Sequence, residues 1–178
     1  EGNPKLTGDQ TIFSIFNDQK KHEYYGSNPL GAEIHQTAWA TEKVWPYRDM
    51  IFIKWKIINK SPNDWDSTYL SIWTDPDVGD AGDDLVGCDS TLNLAYAYNG
   101  HETDQKYGKI PPAVGTKILQ GALVDANGGQ VVLPDGRRFD NVSEQKMRSF
   151  LFYVSGSGNA GSPETPEDIY YYMQAKWQ

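Results

Sequence analysis

Apolar and polar residues alternate along this chain with a period of two. That period predicts strands over residues 11–16, 33–41, 50–59, 68–74, 91–98, 117–124, 130–133 and 149–155. Ile51, Ile53, Trp55 and Ile57 share one side of their strand, with Lys54 and Lys56 on the other. This is the mark of an antiparallel sheet with one wet face. Leu92, Leu94, Tyr96 and Tyr98 alternate in the same way with Asn93, Ala95 and Ala97. Turn-forming pairs separate the runs: Asn28-Pro29, Ser61-Pro62, Asn99-Gly100, Pro111-Pro112 and Gly128-Gly129. Residues 130–139, centred on Pro134-Asp135-Gly136, read as a β-hairpin.

Helical period appears only near the end. Thr165 suits the N-cap and Pro166 the first helical position, and Asp168 complements the helix dipole. Ile169, Tyr172, Met173 and Trp177 then fall on one face. Before this stretch, the Ser/Gly-rich residues 155–162 read as a flexible loop. The expected fold is therefore mostly β, an antiparallel β-sandwich or jelly-roll-like domain with a short C-terminal helix. A length of 178 residues fits a single domain over 1–178. The absence of a starting Met and of an apolar leader suggests a processed chain or part of a longer polypeptide.

Composition adds the core material. The chain has 6 Trp, 11 Tyr and 6 Phe, and aromatics bury a large area each. Net charge is −8, which disfavours nucleic acid or an anionic membrane as partner. No apolar run reaches the length of a membrane span, so no membrane insertion is expected. Cys88 is the only cysteine, so no internal disulfide forms. Its acidic neighbours disfavour a reactive thiolate, and a small packed residue is the expectation.

The charge is unevenly placed. Six of the eight net negative charges can be assigned to one segment, 75–89, which carries Asp75, Asp77, Asp80, Asp83, Asp84 and Asp89 and no Lys or Arg. Calcium takes six to eight oxygen ligands, and Gly79, Gly82 and Gly87 supply bends for wrapping an ion. Carboxylates held this close repel one another without a cation. The spacing is not that of an EF-hand: counted from Asp75, the sixth position is Asp80 instead of Gly, and the twelfth is Val86 instead of Glu. The expectation is one or two structural Ca2+ ions held by these aspartates, set against a solvated acidic loop built on Asp-Gly turns.

Other chemistry is weakly supported. A glycoside hydrolase needs two carboxyl groups set apart across the scissile bond, and a tight Asp cluster suits ligation better. His22, His35 and His101 are far apart in sequence and lack zinc spacing. His35, alternating with Glu33, Thr37 and Trp39, reads as a satisfied sheet histidine. No nucleophile elbow, P-loop or dinucleotide motif occurs. Among the tryptophans, Trp39, Trp55 and Trp73 sit in predicted strands and read as core. Trp45 and Trp65 lie near turns and are the candidates for stacking on sugars.

Several stretches in order carry a family resemblance: Gly8-Asp9-Gln10-Thr11, Asn28-Pro29-Leu30-Gly31, Lys56-Ile57-Ile58-Asn59-Lys60, Trp73-Thr74-Asp75-Pro76-Asp77, Gly87-Cys88-Asp89, Tyr96-Ala97-Tyr98-Asn99-Gly100 and Pro111-Pro112-Ala113-Val114-Gly115. Together they resemble a region of large secreted bacterial proteins that end in type IX secretion sorting domains. The Asp-rich stretch is its most specific part. The resemblance implies export to the cell surface or medium and implies no activity. The sequence thus leads us to expect a non-catalytic, exported, calcium-stabilised structural or adhesive domain. Copies of itself, in a surface structure or filament, or cell-surface glycans would be its partners. A carbohydrate-binding module and a glycoside hydrolase domain are the alternatives.

Overall fold

A computed structural model describes residues 6–23, 26–154 and 161–176. The protein is mostly β, with antiparallel sheets and, among the described residues, a single short α-helix near the C-terminus, consistent with the β-sandwich class. The chain divides into two compact units. One comprises Glu1–Thr68 with Glu164–Pro166, the other Tyr69–Pro163 with Glu167–Gln178.

The first unit holds a three-stranded sheet in the order β1 (Gln10–Asn17), β2 (Ala32–Ala40), β3 (Ile51–Asn59). All three strands coincide closely with apolar alternations in the sequence. The register pairs Ile12 with Ala38 and Ala38 with Ile53, and Phe16 with Ile34 and Ile34 with Ile57. Directly paired residues project to the same face. One face therefore carries Ile12, Phe16, Ile34, Ile51, Ile53, Trp55 and Ile57, while Lys54 and Lys56 lie opposite. On that opposite face Trp39 stacks on Phe52, with ring centroids 5.6 Å apart. His35 is satisfied as the alternation suggested, with Nε2 3.0 Å from Glu33 Oε1. Asp9 closes one end of the sheet: its carboxylate accepts from Thr41 Oγ1 at 2.8 Å and Glu42 N at 3.0 Å, and meets Lys43 Nζ at 3.0 Å. Those bonds, led by the one from Lys43, hold its pKa down at about 2.

The second unit has a three-stranded sheet in the order β4 (Asp84–Asp89), β5 (Leu94–Asn99), β8 (Ala113–Lys117). A two-residue pair, β6 (Thr103–Asp104) with β7 (Gly108–Lys109), follows β5. A long hairpin of β9 (Leu123–Val132) and β10 (Arg138–Glu144) turns at Pro134-Asp135-Gly136, with a register shift between Asp140 and Val142. Helix α1 (Pro166–Met173) turns its half-buried Ile169, Tyr172 and Met173 to one side. Tyr172 packs edge-on against Tyr153, and its hydroxyl donates to the Gly161 carbonyl at 3.0 Å. Trp177, expected on the same face, lies outside the described residues, as do 155–160 of the expected loop.

Five expectations change. Residues 68–74 and the described part of 149–155 are not strands, although both alternate. The strand expected at 117–124 is interrupted: Lys117 ends β8, Leu123 and Val124 begin β9, and 118–122 is a loop between them. Gly121 sits there because a Cβ would collide with the Gln145 carbonyl, and its N–H donates to Glu144 Oε1 at 2.8 Å. The second half of the acidic segment, expected as a loop, is strand β4. Cys88 within it is exposed, not packed.

Candidate cation site

The register of β4 decides what its aspartates can share. Asp84 pairs with Asn99 at one end, and Asp89 pairs with Leu94 at the other. The two are five residues apart, about 17 Å along an extended strand, and an odd separation sets their side chains on opposite faces. One ion cannot meet both.

Asp89 closes a turn through one of its oxygens. Its Oδ1 accepts from Thr91 N at 2.9 Å, Thr91 Oγ1 at 2.6 Å and Leu92 N at 3.2 Å. The Thr91 hydroxyl is the first cause of its lowered pKa. Asn93 then takes a left-handed φ of 52°, and the chain returns as β5. This is the Asx-turn chemistry that competes with ligation.

At the other end the loop 75–83 folds against β5 and β6. Val78 N donates to Asp84 Oδ2 at 2.8 Å, and Asp80 N donates to Asp104 Oδ2 at 2.9 Å. Gly79 makes that approach possible. It has φ +88°, and any Cβ there would strike the Asp104 carboxylate. Asp104 Oδ1 also accepts from Lys106 N at 2.7 Å and Tyr107 N at 2.8 Å. The bond from Tyr107 heads the causes of its lowered pKa. Asp80 spends Oδ1 on Gly82 N at 3.0 Å. Asp75 and Asp77 are exposed.

Asp83 and Asp84 differ from the rest. Asp83 Oδ1, Asp84 Oδ1 and Asn99 Oδ1 are buried atoms that no donor among the described residues reaches. Asn99 is only 8% exposed, and its Nδ2 faces Asp83: it donates to the His101 carbonyl at 2.8 Å and to Asp83 Oδ2 at 3.3 Å. Gly100 N donates to the Asp83 carbonyl at 2.9 Å, tying the segment before β4 to the turn after β5. His101 Nε2 lies 3.8 Å from Asp83 Oδ2 on the exposed rim. Buried polar atoms are nearly always partnered, so three orphan oxygens on consecutive or directly paired residues need a cation or ordered water.

The six aspartates are thus divided. Asp83 and Asp84 come together with Asn99; Asp80 and Asp89 brace turns; Asp75 and Asp77 face solvent. Among the described residues no three His, Cys, Asp or Glu side chains form a metal-holding group. The donors near Asp84 do suit calcium, which accepts carboxylate, amide and backbone carbonyl oxygens alike and fills the rest of its shell with water. Two carboxylates also match its charge. Asn99 and Asp104 were missed in the sequence because an Asp-count sees only runs. The β5 pairing brings Asn99 to Asp83 from 16 positions away, and the β6 hairpin brings Asp104 to Asp80 from 24.

The stacking candidates separate as well. Trp45 is 73% exposed, whereas Trp65 is half-buried and donates its indole N–H to the Leu30 carbonyl at 3.0 Å. Trp73, expected as core, is 68% exposed, with its N–H on Tyr153 Oη at 2.7 Å. Trp55 also stands exposed and donates to Gln36 Oε1.

Comparison of the chain with protein-family models, curated proteins and solved structures gives no match.

Proposed function

We propose that this chain is a non-catalytic, calcium-stabilised structural domain of an exported protein, at the cell surface or outside the cell. The observation that carries the reading is the set of three buried oxygens, on Asp83, Asp84 and Asn99, that no donor among the described residues reaches. A bound Ca2+ would satisfy them and join the start of β4, the end of β5 and the loop 75–83. The use of the other carboxylates favours structure over catalysis: Asp80 and Asp89 each place one oxygen, and Asp104 both, on backbone N–H groups. Export rests on the resemblance of the Asp-rich stretch to secreted bacterial proteins. An adhesive or self-assembling role, with copies of the chain as partners, is supported by exposed aromatic residues on the strands and by Tyr170 and Tyr171, which offer pairing surface. Differential scanning fluorimetry tests the calcium reading. Chelation with EDTA should lower Tm by about 4–8 °C relative to 10 mM Ca2+, and identical melts would refute it.

Trp45 supports a second reading, that of carbohydrate binding. It is the most exposed of the described tryptophans, and a free indole face stacks on sugars. Retention on an insoluble polysaccharide that Trp45→Ala abolishes and Trp65→Ala leaves intact would support this second reading.

A further inference from the structure

We infer that the Asp83–Asp84–Asn99 site is a low-affinity calcium site, one that fills in the submillimolar-to-millimolar range and stays empty at micromolar calcium. The inference rests on the calcium reading above and deepens it. It follows from which oxygens are left over. Calcium affinity is tuned by the number of charged ligands and by site rigidity. Of the six aspartates in the segment, four are removed from the count. Asp89 is on the opposite face and at the far end of β4. Asp80 is bound to Gly82 N through Oδ1. Asp75 and Asp77 stand in solvent. Asp104, the nearest carboxylate outside the segment, already takes N–H groups on both oxygens.

Two charged ligands and one neutral amide remain. Asn99 is the decisive residue, because it is only 8% exposed and its buried Oδ1 meets no donor among the described residues. A neutral donor at that position adds coordination without adding charge. Tight sites add carboxylates, including a bidentate one; this site has two, and each already shares its second oxygen with an N–H group of Val78 or Asn99. Such a ligand set belongs with Kd values of about 10⁻⁴–10⁻³ M. Magnesium, which dehydrates reluctantly and demands octahedral geometry, is a poorer fit still. Occupancy then reports the surrounding calcium concentration, and the 75–104 region tightens only where calcium is abundant.

Isothermal titration of the whole chain with CaCl2, beside MgCl2 and a dialysis-matched blank, tests this. A calcium Kd between about 0.1 and 1 mM, with Mg2+ at least tenfold weaker, is the expected result. Asp83→Asn should raise the calcium Kd at least tenfold, and Asp75→Asn should leave it within twofold. A calcium Kd below about 10 µM, or Mg2+ binding equal to Ca2+, would overturn the low-affinity inference while leaving the calcium reading standing. No calcium uptake up to 10 mM, with the chain shown folded by circular dichroism, would overturn both.

Discussion

Strand β4 carries an aspartate at each end, and the two have opposite fates. Asp89 accepts three bonds from Thr91 and Leu92 and closes a local turn. Asp84 uses one oxygen on Val78 N and buries the other with no donor among the described residues. Both belong to one acidic run, yet strand pairing hands one to Leu94 and the other to Asn99. The lesson is that an acidic segment is not a ligand set until the backbone partners have been counted. A carboxylate bound to nearby N–H groups is a brace, and only a carboxylate with buried oxygen to spare can become a ligand.

The sharpest way to break this contrast is at Gly79. Gly79→Ala forces a Cβ into the Asp104 carboxylate at a left-handed φ and should cost about 2–3 kcal/mol in a denaturant melt. It should also weaken calcium uptake, because the loop leading to Asp84 shifts. A loss under 0.5 kcal/mol would mean that the loop 75–83 does not pack as described.

Acid titration separates braces from ligands next. Asp9, Asp89 and Asp104 all have folded pKa values below the usual 3.8, about 2 for Asp9. A lowered folded pKa contributes stability that is complete above the unfolded value and is lost as pH falls through the folded one. Stability in EDTA should therefore be flat from pH 7 to about 5 and decline from about pH 4 downward. Asp104→Asn should flatten that decline. An unchanged acid limb in this variant would show that the Asp104 brace is not formed.

The smallest effect is expected in the first unit. Trp65→Phe removes one N–H donation to the Leu30 carbonyl and should cost about 1 kcal/mol with no change in calcium response. A calcium response altered by this change would contradict placing that response in the 75–104 region.

Much of the fold was legible in the sequence. Strands β1, β2 and β3 follow their apolar alternation within a residue or two, the Pro134-Asp135-Gly136 hairpin turns where expected, and α1 begins at Pro166. What failed depends on partners distant in sequence. Residues 68–74 alternate yet pair with nothing as a strand, since alternation prepares a strand and only a neighbour completes it. Conversely, 84–89 is rich in Asp and Gly, which disfavour strands, and becomes β4 because β5 pairs with it at every residue. Gly87 even has a use there: Tyr96, its register partner, lies where a Cβ would be. Alternation in β5 marked two faces without saying which is buried. The smaller one, with Ala97 and Asn99, is inside, and Tyr96 and Tyr98 are exposed. The acidic segment was legible as a place of interest, with Asp83 and Asp84 among its residues. Asn99 was not, because a neutral amide in a strand gives no charge signal.

The two ends of β4 supply the most direct test. The calcium-induced rise in Tm, read between EDTA and 10 mM CaCl2, should persist in Asp89→Asn and vanish in Asp84→Asn. The account is contradicted if Asp84→Asn keeps the full shift, or if Asp89→Asn loses it.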